Sequence, residues 1–501
     1  MAVLAAPAKD TSSQDPSVQN EASPLPSLLS NPELYREDMQ VLDREYTWPK
    51  CIFMVAGLSL CITVDILQYS MPLAFLPSVL EDRGHRPMVI ATAIGIYYWT
   101  GFAGGACITS YQISKLFQEE DPDDEVVTVQ KTARRIKYLI IGLGCGTVTL
   151  MAQAYHPHCQ MHTACRFVQG AAGAFIFFYG FLLSVEMFSG PQQVFAMTSA
   201  ATALNIAEVL GSTMGAYIYD SFGEPTVYAF LGVVSILNQV FLVAMLFNLH
   251  SSDQPPPKLQ DGSPQTPAEQ LRNNGWKKLK HLLKSKVLAV AVMLIVSAAL
   301  IKASVEEILP FHADHRWGYD PLKIGELFSV IALAYIGAAI VAGNIWTRLG
   351  KWQVGWSSMW LVLLGLSSWC VFLIAGYYKR QAALKTGLAL YGICLGMTHT
   401  PAALFLADAI EREEGKCKDA ANGIWNTMWE AGGSIGFLLG GFLAEDYEHQ
   451  VQLMGWYVCA SIGSACLMMV IMSMPTRSGD LGASLQGLED KKLGDYGSTT
   501  A

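Results

Sequence analysis

The feature that most constrains this chain is its series of long apolar runs. A bilayer's hydrocarbon core takes about twenty consecutive apolar residues to cross as a helix. The sequence offers twelve such runs, near residues 52–79, 88–113, 138–154, 163–187, 194–219, 225–249, 287–309, 324–347, 352–378, 384–410, 420–444 and 452–474. Only 15% of residues are charged, against about 25% in a soluble domain. Backbone polar groups cannot be left unpaired in lipid, so each run is expected to be a helix. The fold class that follows is all-α integral membrane, with about 12 transmembrane helices in two six-helix pseudo-repeats.

The halves echo each other, as repeats enclosing a central site would. GSTMGAYIYD (Gly211 to Asp220) in the fifth span and GFLLGGFLAED (Gly436 to Asp446) in the eleventh each space glycines four apart before an acid. An acid precedes a proline in the first span (Asp65, Pro77) and in the seventh (Glu306, Pro310). The expected organisation is a cytosolic tail over 1–49, a six-helix bundle over 50–249, a cytosolic linker over 250–286, a second bundle over 287–474 and a cytosolic tail over 475–501. Within the linker, Trp276, Leu279, Leu282 and Leu283 recur at helical spacing among five lysines; this segment lies on a membrane surface or is a solvated basic stretch.

Orientation follows from lysine and arginine. With both termini cytosolic, inner segments hold 24 of these residues and outer loops seven. The first 46 residues lack the basic-then-apolar order of a cleavable signal, so the first span is expected to direct insertion. The net charge of -9 sits in tails and loops and implies no nucleic-acid partner. Eleven cysteines are scattered, mostly inside apolar runs, without the pattern of a disulfide framework.

An ionisable group at the bilayer centre costs about 2.5 to 3.5 kcal/mol, so each one needs a reason. Asp65, Glu208 and Glu430 fall near the middle of spans one, five and eleven; Glu306 and Glu307 lie toward the outer end of span seven and Asp408 near the inner end of span ten. The spans hold only two bases against them, Arg166 and Lys302. Such an interior suits protons or an organic cation. Lys302 and Glu306 share a helix face, as a gate or as a pair that merely neutralises itself. Asp65 has no base within four residues and is the leading proton carrier. Aromatics including Tyr97, Tyr98, Trp99, Tyr179, Trp425 and Trp429 are candidates to line a cavity and hold a cation by cation–π attraction, or to pack. Gly211, Gly215, Gly436 and Gly440 let helices approach closely, as rocking halves require. The loop HPHCQMH places His156, His158, Cys159 and His162 at metal-ligand spacing; exposed loop histidines are far more often unliganded, and no metal is expected. No phosphate-binding loop, dinucleotide fingerprint, zinc-protease motif or nucleophile elbow occurs, so neither an enzyme nor an ATP-driven pump is supported, and no cofactor is expected.

Across residues 50 to 475 the sequence resembles the drug:proton antiporter branch of the major facilitator superfamily, and somewhat the vesicular amine transporters. RFVQGAAGA, with Arg166, Gln169, Gly170 and Gly173, is similar to that family's Arg-x-x-Gln-Gly motif. The resemblance implies a proton-coupling role for Arg166. It implies acid roles for Asp65, for Glu306 in VEEILP and for Asp408 in PAALFLAD. Asn426 stands where vesicular amine transporters carry an acid, with Glu430 one turn later. Two departures stand out: Ser212 and Thr213 follow Gly211 where the antiporter motif has proline, and a longer charged insertion replaces the short loop between spans two and three.

Together these readings lead to a proton-coupled secondary transporter of a small organic, cationic or amphipathic solute. It is a monomeric transport unit in a plasma, organellar or vesicular membrane. Asp65, Arg166, Glu306 and Asp408 would couple protons; Glu208, Glu430, Asn426, Trp429 and Tyr179 would meet substrate; Lys302, Gly170, Gly211, Gly215, Gly436 and Gly440 would gate and pack. Alternatives are a proton-independent facilitator of a neutral metabolite and a non-transporting sensor or scaffold.

Overall fold

The computed structural model describes residues 46–116, 125–188, 190–250, 286–349, 352–377, 380–414, 418–445 and 450–473. The amphipathic linker segment, most of both tails and residues 117–124 of the charged insertion at 114–137 lie outside the described residues. Among the described residues the secondary structure is helical, without strands. In the first half, α1 is Trp48–Ser70, α2 Leu76–Asp82, α3 Pro87–Leu116, α4 Glu125–Tyr155, α5 Cys159–Glu186, α6 Gly190–Phe222 and α7 Glu224–His250. In the second, α8 is Lys286–Trp317, α9 Pro321–Leu349, α10 Gln353–Tyr377, α11 Gln381–Glu414, α12 Lys418–Glu445 and α13 Gln450–Ser473.

The first run, expected to be continuous over 52–79, is broken. Pro72 lacks an N–H and its ring crowds the preceding turn; the chain tightens into a 3-10 turn at Met71–Ala74 and restarts as α2, with Pro77 in its first turn. Pro310, its expected counterpart, stays inside an unbroken α8. The turns on the side away from the termini, called the far side below, are short where the residues are described. Gly223 alone joins α6 to α7, with φ 83° and its N–H bonded to the Tyr219 carbonyl at 2.8 Å. That left-handed cap favours glycine.

Among the described residues ten helices are long and apolar enough to cross a membrane: α1, α4 to α11, and α13. The two expected spans outside that set, α3 and α12, have 30 and 28 residues, so their length suffices and their composition differs. They pack on each other between the halves, so polar and small residues there meet protein, not lipid. Large apolar side chains face outward elsewhere: Val148 on α4, Phe247 on α7, Leu333 and Ile340 on α9 and Trp456 on α13 are each more than 60% exposed. In a soluble protein such a belt would be a liability; here it is the lipid face.

Helix pairing repeats with a shift of six spans. α1 packs on α6, α3 on α5 and α4 on α7; correspondingly α8 packs on α12, α9 on α11 and α10 on α13. The halves meet through α3 with α12 and α6 with α9, two contacts that the same shift interchanges. The paired glycines explain one element of this. A Cβ at Gly215 of α6 would overlap the Met71 carbonyl, and one at Gly436 of α12 the Leu300 carbonyl of α8. Gly211 similarly meets Ser70, and Gly440 leaves 2.8 Å to the Glu307 Cβ. Gly170 of α5 seats against the Tyr97 carbonyl of α3.

Candidate functional site

α1 and α8 are buried around most of their circumference, which places them at the centre. Their mid-span side chains, with those of α3, α5, α6, α9, α11 and α12, line two adjoining chambers. The larger, about 70 Å³, takes Asp65 from α1, Glu208 from α6, Lys302 from α8, and Asn426, Trp429 and Glu430 from α12. Its walls are aromatic: Tyr69, Tyr97, Tyr98, Phe177, Tyr335, His399 and Trp425. The smaller, about 30 Å³, is lined by Ser70, Ser212, Val305, Glu306 and Phe328 among others. On each of α1, α6, α8, α9 and α11 these residues lie nearer the far side.

Tyr69, Glu208, Lys302 and Tyr335 line both chambers. They form a septum. Lys302 Nζ donates to Glu306 Oε1 at 2.6 Å and pairs with Glu208 Oε1 at 2.7 Å. The Tyr69 hydroxyl donates to Glu306 Oε2 at 2.6 Å. Glu208 and Tyr69 belong to the first half, Lys302 and Glu306 to the second, so the septum ties the halves together. Farther out, the Thr213 hydroxyl reaches the Gly325 carbonyl at 3.0 Å and contacts Ser329, joining α6 to α9. At the far surface Glu81 pairs with His315 at 3.0 Å. Burial raises the Glu81 carboxyl above the usual range, with Asp314 and Asp82 adding to the rise and His315 opposing it.

The carboxylates of the larger chamber differ in their partners. Asp65, 3% exposed, faces the Tyr97 hydroxyl at 3.4 Å. Glu430 Oε2 and Asn426 Nδ2 are buried without a hydrogen-bond partner among the described residues. α3 makes room for them with glycine: a Cβ at Gly101 would sit 2.8 Å from Glu430 Oε2, and one at Gly105 would sit 3.3 Å from Asn426 Nδ2. Trp425 and Trp429 stack at 5.6 Å and 6°, and the His399 ring lies 4.5 Å from Trp429.

The structure thus brings Asp65, Glu208, Glu430, Asn426, Trp429 and Lys302 around one space and sets Glu306 just beyond the septum. Arg166 lies elsewhere. It is 1% exposed, donates from Nη1 to the Gln68 carbonyl at 2.8 Å and stands 6.0 Å from the Tyr97 ring, whose hydroxyl faces Asp65. Tyr179 lines neither chamber; its ring packs on Tyr138 at 5.5 Å and Phe175 at 6.2 Å within the first half. Trp99 is 42% exposed, whereas its neighbours Tyr97 and Tyr98 on α3 are buried. Asp408 belongs to α11, but its side chain is outside the described residues. Among the chamber residues that the sequence did not single out are Tyr69, His399 and Tyr335. Tyr69 was legible in principle, one helical turn after Asp65; His399 was a further titratable group in a span; Tyr335 carried no signal beyond an aromatic in an apolar run. Of the HPHCQMH loop, His162 is fully buried and bonded to Gln153 and Glu224. Among the described residues no group of three or more His, Cys, Asp or Glu could hold a metal ion.

Comparisons with known proteins agree with this geometry at the level of fold. A model of the Major Facilitator Superfamily matches residues 58–417. Among solved structures, the chain is similar to a bacterial homolog of the human lysosomal transporter Spinster in an inward-facing, unoccupied conformation. The TM-score is 0.59 at 8% identity, covering 85% of this chain and 95% of that one. No curated protein matches by sequence.

Proposed function

The chain belongs to the major facilitator superfamily, and from that premise we propose that it is a proton-coupled secondary transporter of a small organic cation, working by alternating access. The observation that carries this reading is the larger chamber. Asp65, Glu208 and Glu430 line it from both halves with Lys302 as the lone ammonium, inside walls of Tyr, Trp and Phe. Since Lys302 is engaged by Glu208 and Glu306, Asp65 and Glu430 are left to meet a proton or a cationic substrate, and the aromatic faces add cation–π attraction.

The septum supplies the gate. Opening the far side breaks Lys302–Glu208 and Tyr69–Glu306 while leaving Lys302–Glu306, which lies within α8. Arg166, behind the Tyr97 ring, tunes Asp65 through that ring, consistent with the likeness of Arg166, Gln169 and Gly170 to the antiporter motif. Both termini are placed in the cytosol by the excess of lysine and arginine on their side, 24 against seven, so the far side faces outward or into a lumen. The transport unit is a monomer with two six-helix halves.

The test is uptake into reconstituted vesicles under an imposed pH gradient, screened over organic cations. Asp65→Asn abolishes gradient-driven uptake; unchanged uptake by that variant refutes the assignment. Neutralisation of Glu208 by Lys302 favours a second reading, a facilitator whose acids only hold the halves together. Substrate flux indifferent to a protonophore selects it.

A further inference from the structure

A second string of buried polar side chains runs through the first half, apart from both chambers. Gln169, three residues after Arg166 on α5, donates from Nε2 to Gln153 Oε1 at 3.0 Å and to Thr149 Oγ1 at 3.1 Å, both on α4. Gln153 Nε2 lies 3.3 Å from His162 Nδ1, and His162 Nε2 lies 2.9 Å from Glu224 Oε1. Glu224, at the start of α7, pairs through Oε2 with Arg83, which also donates to the Pro157 carbonyl. Gln153 and His162 are 0% exposed, Gln169 2% and Glu224 5%, whereas the Arg83 side chain is 36% exposed. The string therefore reaches water at its Arg83 end, on the far side.

The hydrogen bonds fix its present state. An amide nitrogen can only donate, so Nδ1 of His162 accepts, and the neutral ring carries its proton on Nε2 and gives it to Glu224. At the other end Gln169 Oε1 is buried without a hydrogen-bond partner among the described residues. The groups facing His162 are Glu224 and Tyr228 from α7, Gln153 from α4, Arg83 from the turn after α2, and Arg166 from its own helix. One carboxylate touches it directly, and both guanidinium groups stand farther off.

We propose that His162 with Glu224 is a second proton-binding site, reached from the far side and separate from the transport cavity, whose charge state passes from the far end of α5 to Gln169, deeper in the same helix, by reversal of the Gln153 and Gln169 amides. Binding adds one proton, with net formation of an Nδ1–H bond; no other covalent bond changes. The imidazolium then donates from both nitrogens. Gln153 must turn its Oε1 toward Nδ1, which leaves its Nε2 facing Gln169. Gln169 turns in response and accepts with Oε1, the atom that now lacks a partner, one helical turn from Arg166.

The experiment is nitrogen NMR of the full chain, labelled with ¹⁵N-histidine in lipid nanodiscs, between pH 5 and 9. The His162 signal is assigned by its loss in His162→Gln or, should that variant not fold, by its contact with the Tyr228 ring at 5.5 Å. The signal is expected to start as the Nε2–H tautomer and convert reversibly to imidazolium. Glu224→Gln removes the facing carboxylate and lowers the midpoint by about one to three pH units. Gln169→Met, which does not touch His162, also shifts it, because Gln153 loses the partner it bonds in either orientation of its amide. A signal that stays neutral throughout, or a midpoint indifferent to Glu224→Gln, refutes the site. A midpoint that responds to Glu224→Gln and ignores Gln169→Met refutes the relay. The readout involves no transport, so it stands or falls independently of the transport reading.

Discussion

Glu208→Gln tests the septum most directly, because it removes the one charge by which the first half holds Lys302. The wild-type pair spans 2.7 Å, with side chains 11% and 22% exposed. Exposed ion pairs contribute about 0 to 1 kcal/mol, and removing one partner of a fully buried pair costs about 3 to 5 kcal/mol. Partial exposure puts this pair between those limits, at about 2 kcal/mol. Lys302–Glu306, at 2.6 Å and within α8, survives opening and cancels. The variant should therefore lower the closed-to-open ratio of the far side about thirty-fold, at about 1.4 kcal/mol per decade. Spin labels at the exposed far-side positions Arg86 and Gln381, one in each half, report the distance distribution by pulsed electron resonance. A longer-distance population should appear in Glu208→Gln and be sparse in the wild type. Distributions that coincide would refute the reasoning that this pair holds the far side shut.

Gly215→Val should destabilise the fold by several kcal/mol, because its Cβ meets backbone at Met71 that cannot turn aside; Gly463→Ala, with nothing within 4 Å of the added Cβ, should leave the melting temperature unchanged or slightly raised. Glu307 is 0% exposed and neither carboxylate oxygen has a hydrogen-bond partner among the described residues, so Glu307→Met should match or exceed the wild-type melting temperature. Asp320 accepts from the Lys323 backbone N–H and from its Nζ, each at 2.9 Å, which holds its carboxyl below the usual aspartate range. A depressed pKa contributes stability above the unfolded value, lost as pH falls through the folded one. The gap in melting temperature between wild type and Asp320→Asn should accordingly be present at neutral pH and close in acid, below pH about 4.

Much of the architecture was legible because lipid imposes a one-dimensional rule: a spanning segment must be long, apolar and helical. That rule located every α-helix among the described residues except α2, and flagged Asp65, Glu208, Glu430 and Lys302 as groups needing company. It could not see that α3 and α12 are the least lipid-like spans because they face each other. Nor could it see that Pro72, not Pro77, stops α1 while Pro310 leaves α8 intact. Tyr97, Tyr98 and Trp99 are consecutive aromatics, yet two line the chamber and one faces outward; helix rotation decides that, and an apolar run without polar punctuation does not specify rotation.

The sequence by itself determined that the chain crosses a membrane many times, that its halves repeat, and that its interior carries more acid than base. Only the tertiary structure decided which charges meet. Lys302 could have been read as serving Glu306 alone, four residues away; packing across the halves brings Glu208 to the same ammonium and Tyr69 to the same carboxylate. Local spacing fixes partners within one helix, whereas a contact between residues 94 positions apart depends on how whole helices rotate and dock.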